Sequence, residues 1–297
     1  MENYSRTDLA CESVTQAGEL PSSGAEWTKK TVGTFEVSYL SIESDEAARE
    51  LEKPQGRYVT VECGRINHLT EDNRILLAHL LSEELRGMAE RLTGKTPDAD
   101  FEVFVAGLGN AELTADAIGP RTVGLLTATR HLREHEQFLY RIIGCCALSA
   151  LAPGVLGQTG IETLELLRGA IRYVKPDMVV VVDALAARSC DRLASTVQIS
   201  DAGIEPGSGV GNHRSAITKE TVGVPVVALG VPTVVNSATL VYDALHEAGI
   251  DSISESLQKV LETGKSFFVS PKESDLITHE VSELLSDAIG MAFTANL

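Results

Sequence analysis

Short apolar runs alternate along the chain with segments whose apolar residues recur at helical spacing. Residues 103–106 and 178–182 are continuous apolar runs, and residues 225–229 give a third strong strand signal. Runs of this kind are typical of strands that are buried on both faces. Residues 73–92 instead place their apolar side chains on one helical stripe. The pattern therefore predicts an α/β fold with a mostly parallel sheet covered by helices on both faces.

Further signals fill the intervals between these elements. Residues 34–40 alternate like a half-exposed strand, and residues 57–63 give another strand signal. The residues from Thr159 to Glu162 match a capping box, which predicts the start of a helix. Helices are predicted over 116–131, 160–174, 238–248, 252–263 and 275–291.

The start of the chain differs from the rest because it is polar and punctuated by Gly, Ser and Pro. This composition is typical of a terminal loop, and we predict an N-terminal region over residues 1–30. The alternating pattern begins after that region. Residues 31–297 are therefore predicted to form a single α/β domain.

Composition and charge narrow the range of functions. The chain has 297 residues, of which 43% are hydrophobic, so it can bury a substantial core. Its formal net charge of −17 repels nucleic acid and anionic membranes, and we expect direct binding to neither. The N-terminus has no basic stretch followed by an apolar one, and the apolar stretches are too short to span a membrane. We therefore expect a cytoplasmic, unanchored enzyme.

Two acidic residues follow predicted buried strands. Asp183 comes directly after residues 178–182. Asp116 follows residues 103–106 through a turn at 107–110. If the two strands are neighbours, their carboxyl ends meet where open α/β sheets bind ligands, and two carboxylates there can divide acid and base chemistry. Taken alone, Asp116 is equally typical of a helix start. For Asp183 the position after the strand favours a functional role, and the alternative is a turn or pairing with Arg188.

Two short motifs match known sites incompletely. Residues 107–112 resemble the opening of a dinucleotide-binding turn, but Glu112 stands where the third glycine is needed. A tight turn from strand to helix explains both glycines, and it would aim Asp116 over the edge of the sheet. Residues 131–135 match the H-x-x-E-H zinc peptidase pattern, yet the surrounding charges favour a solvated helix end.

A Gly-rich loop is predicted over residues 204–212. It lacks the Lys-Ser/Thr ending of a phosphate-binding loop, so we interpret its glycines as room for a peptide backbone. The candidate substrate-binding residues are Gly207, Gly209, Gly211 and Asn212. His213 follows them and supplies the third side chain of an alternative metal site with Asp116 and Asp183.

Ordered blocks of sequence are more specific than any of these short motifs. They lie at 6–10, 107–110, 116–120, 129–132, 153–155, 158–165, 183–189, 198–201, 207–212, 230–233 and 268–273. In these blocks the chain resembles the germination protease family of spore-forming bacteria, endopeptidases that degrade small acid-soluble spore proteins.

The resemblance implies a fold related to hydrogenase-maturation endopeptidases, with Asp116 and Asp183 as the catalytic pair and no cofactor. It also implies an inactive precursor that removes its own N-terminal segment, a homotetramer, and a location in the forespore or spore core. The acid, leucine and alanine at residues 8–10 mimic the substrate cleavage sequence of the family. We therefore predict self-processing between Asp8 and Leu9.

Three functions stay open at this point. If Asp116 and Asp183 share one proton, one can activate water as a base while the other acts as an acid. With His213, the same acids would instead ligate zinc or nickel in a metal-dependent endopeptidase. The third function is a catalytically silent module whose crevice holds a peptide.

Overall fold

One sheet organises the part of the chain that the computed structural model describes, which is residues 7–18, 20–21, 23–207, 214–250, 253–263 and 267–294. It has nine strands. They are β1 (Ala25–Val32), β2 (Phe35–Ile42), β3 (Gly56–Glu62), β4 (Glu102–Gly107), β5 (Ala147–Leu151), β6 (Met178–Ala187), β7 (Thr196–Ser200), β8 (Val226–Asn236) and β9 (Phe268–Val269).

The strand order is β1-β2-β3-β7-β8-β6-β4-β5, and β9 pairs with β8. The contacts of β4 with β5, of β4 with β6 and of β6 with β8 are parallel. The other described pairings are antiparallel. The α/β class is confirmed, but the sheet is mixed rather than mostly parallel. The cause lies partly in a tight turn at Gly33, which joins β1 to β2 as a hairpin and so makes them antiparallel.

Helices fill the intervals between the strands. They are α1 (Ala10–Ala17), α2 (Asp45–Glu50), α3 (Glu71–Thr93), α4 (Ile118–Leu125), α5 (Arg130–His135), α6 (Gln137–Ile143), α7 (Leu156–Thr159), α8 (Thr163–Val174), α9 (Lys219–Val222), α10 (Ser237–Glu247), α11 (Glu255–Thr263) and α12 (Ser274–Phe293). Among the described residues, none of these helices is both long and apolar enough to cross a bilayer.

Alternate side chains of β4 point into two separate cores, as the pleat of a strand requires. Val103 and Val105 belong to the main core, which includes buried residues of α3 and α12. Phe104 and Ala106 belong to a second core, which includes Leu167 of α8. The predicted cover of helices on both faces is therefore confirmed. The predicted helix over 73–92 is also confirmed as part of α3, and the side chain of Thr70 caps its N-terminus.

Several local predictions are wrong. Residues 10–17 form α1 and residues 25–32 form β1, so much of the predicted N-terminal loop has regular structure. The division at residue 30 stays a prediction. The predicted helix over 116–131 is divided between a 3₁₀ turn and two helices because Leu126 is already extended. The capping box is also wrong, since α8 begins after Glu162 without a side-chain cap.

Candidate active site

Asp183 lies inside β6, four residues before the strand ends at Ala187. The prediction that it stands at the strand end is therefore wrong, because apolar residues continue the strand beyond it. Its side chain is 6% exposed. One carboxylate oxygen, Oδ1, accepts a hydrogen bond from the backbone N–H of Ala184 at 2.9 Å. A carboxyl group this deeply buried is costly to ionise.

Asp116 ends a short 3₁₀ turn between β4 and α4. Its Oδ2 accepts the backbone N–H of Asn110 at 2.8 Å, which ties the acid to the turn that leaves β4. Gly109 has a φ of 109° and lies so close that a Cβ atom there would be 2.0 Å from the carbonyl oxygen of Asp116. The interpretation of residues 107–110 as a tight turn is confirmed, while its direction of Asp116 over the edge of the sheet stays a prediction.

The charge of Asp116 acts on the pKa of Asp183. Burial raises the pKa of Asp183 well above its usual value, and the nearby carboxylates of Asp116 and Asp8 raise it further. Burial also raises the pKa of Asp116, although the hydrogen bond from Asn110 opposes this shift. Arg214 lowers the pKa of both acids. Because Asp116 is half-buried and Asp183 is almost fully buried, Asp183 retains a proton more readily.

Asp183 belongs to a row of three paired residues on neighbouring strands of the sheet. Gly230 of β8 pairs with Asp183 of β6 on one side and with Gln198 of β7 on the other. Side chains of directly paired residues lie on the same face of a sheet. Gly230 has no side chain, and a Cβ atom there would lie 2.6 Å from Leu185 Cγ, so the Leu185 side chain packs over Gly230 between Asp183 and Gln198.

The N-terminal segment, residues 7–12, lies against this part of the sheet. The backbone N–H of Asp8 donates to the carbonyl of Ala186 at 2.9 Å, and the N–H of Ala186 donates to Asp8 Oδ2 at 2.8 Å. Leu9 is completely buried in a small apolar cluster with Leu185 and Leu193. The predicted processing residues therefore lie near Asp183 in space, although they are far from it in sequence.

Two charged side chains anchor the ends of this segment. Glu12 is buried, and its carboxylate accepts the backbone N–H groups of Arg188 at 2.8 Å and Ser189 at 2.9 Å. The hydroxyl of Thr7 also donates to Glu12. Lys53 Nζ donates to the carbonyl of Thr7 at 2.6 Å. Sequence reasoning missed Glu12 and Lys53 because neither belongs to a motif and their partners are backbone groups from other elements.

The Gly-rich loop is described only in part. Gly207 has a φ of 75°, which explains a glycine at that turn. The other candidates in the loop, Gly209, Gly211, Asn212 and His213, lie outside the described residues, so their roles stay predictions. No group of three or more His, Cys, Asp or Glu side chains arranged to hold a metal ion occurs within the described part of the chain.

The H-x-x-E-H motif lies on α5, which has no buried residue. Glu134 forms an ion pair with Arg130 at 2.7 Å on the same helix. Arg130 also pairs with the buried Glu102 at 2.7 Å, so this helix docks to the start of β4 through charge. The interpretation of the motif as a solvated helix end is confirmed.

We expect Asp183→Asn to raise the free energy of unfolding at neutral pH. The folded state raises the pKa of Asp183, so the wild-type chain loses stability as the pH rises from the unfolded pKa to the folded pKa, and the full penalty is present above the folded pKa. This penalty disappears as the pH falls through the folded pKa towards the unfolded value of about 3.9. The stability gain of the variant should therefore be largest near pH 7 and shrink towards pH 4. Urea unfolding at several pH values measures it, and a gain that is independent of pH would contradict the assigned shift.

Comparison with known proteins identifies the family to which the sequence belongs. A family model described as germination protease matches residues 8–248, a range that includes Asp8, Asp116, Asp183 and Gln198. The chain belongs to the germination protease family. It is therefore a peptidase, and more specifically an endopeptidase.

The similar proteins cover nearly the whole chain. The germination protease of Clostridium perfringens strain 13 is 37% identical and matches 98% of this chain and 96% of its own length. That of Caldanaerobacter subterraneus is 36% identical, with 98% and 95% covered. That of Priestia megaterium is 40% identical, with 82% and 67% covered.

A solved structure of a [NiFe] hydrogenase maturation protease from Thermococcus kodakarensis also matches. It is 18% identical, with a TM-score of 0.35, and the match covers 67% of this chain and 97% of that one. The expected relation to this group of endopeptidases stays a prediction at this level of likeness.

Proposed function

We propose that this endopeptidase hydrolyses small acid-soluble spore proteins with the Asp116 and Asp183 pair, after first cutting its own chain between Asp8 and Leu9. The observation that carries the proposal is the position of residues 7–12. They lie across the sheet as a bound peptide would, with Asp8 close enough to Asp183 to raise its pKa. The chain thus supplies its own first substrate.

The environments of the two acids divide their roles. Asp183 is the more buried and holds the shared proton, so it is the general acid. Asp116 is half-buried and accepts the Asn110 N–H, so it is the general base. Asp116 takes a proton from water as the water oxygen adds to the carbonyl carbon of Asp8. The C–N bond to Leu9 then breaks, and the leaving nitrogen receives a proton from Asp183.

The contacts of the segment support a preference for an acid followed by an apolar residue. The Asp8 carboxylate accepts the Ala186 N–H, and it opposes the pKa decrease that burial causes at Lys53. An acid at this position therefore has both a backbone donor and a nearby cation. Leu9 fills an apolar pocket from which water is excluded. The same two features would select the cleaved bond in a spore protein.

Mass spectrometry of the N-terminus tests the proposal. The purified full-length chain is incubated alone and with a small acid-soluble spore protein, each with and without a chelator. We expect a product that begins at Leu9, fragments of the spore protein cut after an acid, and no effect of the chelator. Cleavage that the chelator abolishes and zinc restores would favour the metal-dependent alternative. An intact chain beside an intact spore protein would favour the silent binding module.

The family resemblance also leads us to propose a homotetramer in the forespore or spore core. Exposed apolar side chains on α6 support self-association, because Phe138 is 82% and Ile142 is 67% exposed. The net charge of −17 supports the absence of direct contacts with nucleic acid or with anionic membranes.

A further inference from the structure

We infer that Gln198 is a catalytic residue that holds the cleaved peptide by its backbone and stabilises the oxyanion of the cleaved bond. This assignment rests on the proposed function, since it takes the bond between Asp8 and Leu9 as the one that is cut. Gln198 begins one of the sequence blocks that carry the family resemblance, but the resemblance assigns it no role.

Both ends of the Gln198 amide contact the peptide around that bond. Nε2 donates to the carbonyl oxygen of Asp8 at 3.0 Å, and Oε1 accepts the backbone N–H of Ala10 at 2.7 Å. The Asp8 carbonyl belongs to the peptide group predicted to be cleaved. A donor on this oxygen stabilises the negative charge that develops there when water adds to the carbonyl carbon.

The place of Gln198 in the sheet suits this role. Gln198 is 7% exposed, so water competes little with the peptide for hydrogen bonds to its amide. Gly230 separates it from Asp183 within the row across β6, β8 and β7, and the Leu185 side chain packs over that glycine. The N-terminal segment is held by β6 through the bonds between Asp8 and Ala186, and by β7 through the bonds of Gln198. Because both Gln198 contacts are to backbone atoms, they are available to any substrate sequence.

Two substitutions separate the functions of the two amide atoms. Gln198→Glu keeps an acceptor for the N–H of Ala10 but loses the donor to the carbonyl oxygen. Gln198→Met keeps the shape and loses both. We expect each to lower the first-order rate of self-cleavage by about 10²-fold, the usual effect of removing one oxyanion donor.

Turnover is then measured on a synthetic peptide that spans residues 3–14. For this assay, wild-type enzyme first removes the N-terminal segment from each variant chain, and the processed variant is purified. Gln198→Glu should lower kcat with little change in KM, because only the interaction with the developing charge is lost. Gln198→Met should lower kcat and also raise KM. If Gln198→Met does not fold, the near-isosteric Gln198→Glu decides the matter alone.

Thr196→Val is the matched control. Thr196 lies two residues earlier on β7 and on the same face, it is buried, and its hydroxyl has no hydrogen-bond partner in the described structure. This variant should cleave itself at the wild-type rate. Self-cleavage by both Gln198 variants within about twofold of wild type would overturn the assignment while leaving the proposed function intact. A wild-type chain that cuts neither itself nor the peptide would overturn both.

Discussion

Replacing Asp183 or Asp116 by Asn should lower the rate of self-cleavage by about 10³-fold, the usual contribution of a general acid or base. An amide can neither deliver the proton that Asp183 holds nor take one from water in place of Asp116. The fold should persist, because an Asn oxygen can still accept the Ala184 N–H at position 183 and the Asn110 N–H at position 116. Intact mass against time measures the rate for each purified variant.

Asp287→Asn provides the control for this pair. Burial also raises the pKa of Asp287, but this acid lies on α12 and pairs with Arg74 at 2.8 Å. Its loss should leave self-cleavage unchanged. If either dyad variant retained more than about a tenth of the wild-type rate, that acid would not be an essential proton carrier.

Gly109→Ala should disrupt both stability and cleavage, because the added Cβ would meet the backbone and the carboxylate of Asp116. A side chain at a φ of 109° is strained, and its Cβ would lie 2.0 Å from the backbone oxygen of Asp116. Strain and overpacking together should lower the free energy of unfolding by about 3 kcal/mol. The turn must move to relieve the contact, and a displaced Asp116 should slow cleavage by about 10²-fold.

The matched substitution is Gly124→Ala in α4. No heavy atom lies within 4 Å of a Cβ built at Gly124, and its φ is not positive. Alanine there should stabilise the helix by up to about 1 kcal/mol and leave cleavage unchanged. A Gly109→Ala chain that is as stable and as active as Gly124→Ala would show that the turn does not position Asp116.

The sequence predicted the central strands and the long helices because their signals are local. Continuous apolar runs identify β4, β6 and β8, and the helical stripe over 73–92 identifies α3. Strand direction is not a local property, so the antiparallel pairings of β3 and β7 were missed. The short strand β5 was missed as well. The sequence of segment 10–17 is typical of a loop because its apolar face is short, and packing on β2 and β3 stabilises it as α1.

The candidate site was predictable to the extent that it depends on strands and turns. Asp116 and Asp183 follow or lie in apolar runs, and Gly109 marks a turn, so these positions carry a signal. Glu12 and Lys53 carry no signal, and Gln198 carries only its place in the block 198–201, because each of the three binds the backbone of residues 7–10 or 188–189 through contacts that cross the fold. The sequence pattern of an isolated polar residue in a strand is the same whether the side chain contacts water or a bound peptide.

The position of Asp183 within β6 gives the two acids unequal mechanical support. Residues 179–187 pair along β8 in the interior of the sheet, so many backbone hydrogen bonds hold Asp183 in place. Asp116 lies on a three-residue turn that individual hydrogen bonds hold in place. In one of them, the Thr233 hydroxyl donates to the carbonyl oxygen of Ala115 at 2.6 Å. We therefore expect changes in the separation of the two acids to originate mainly at the turn. On the proposed roles, heat or pressure would displace the general base before the general acid.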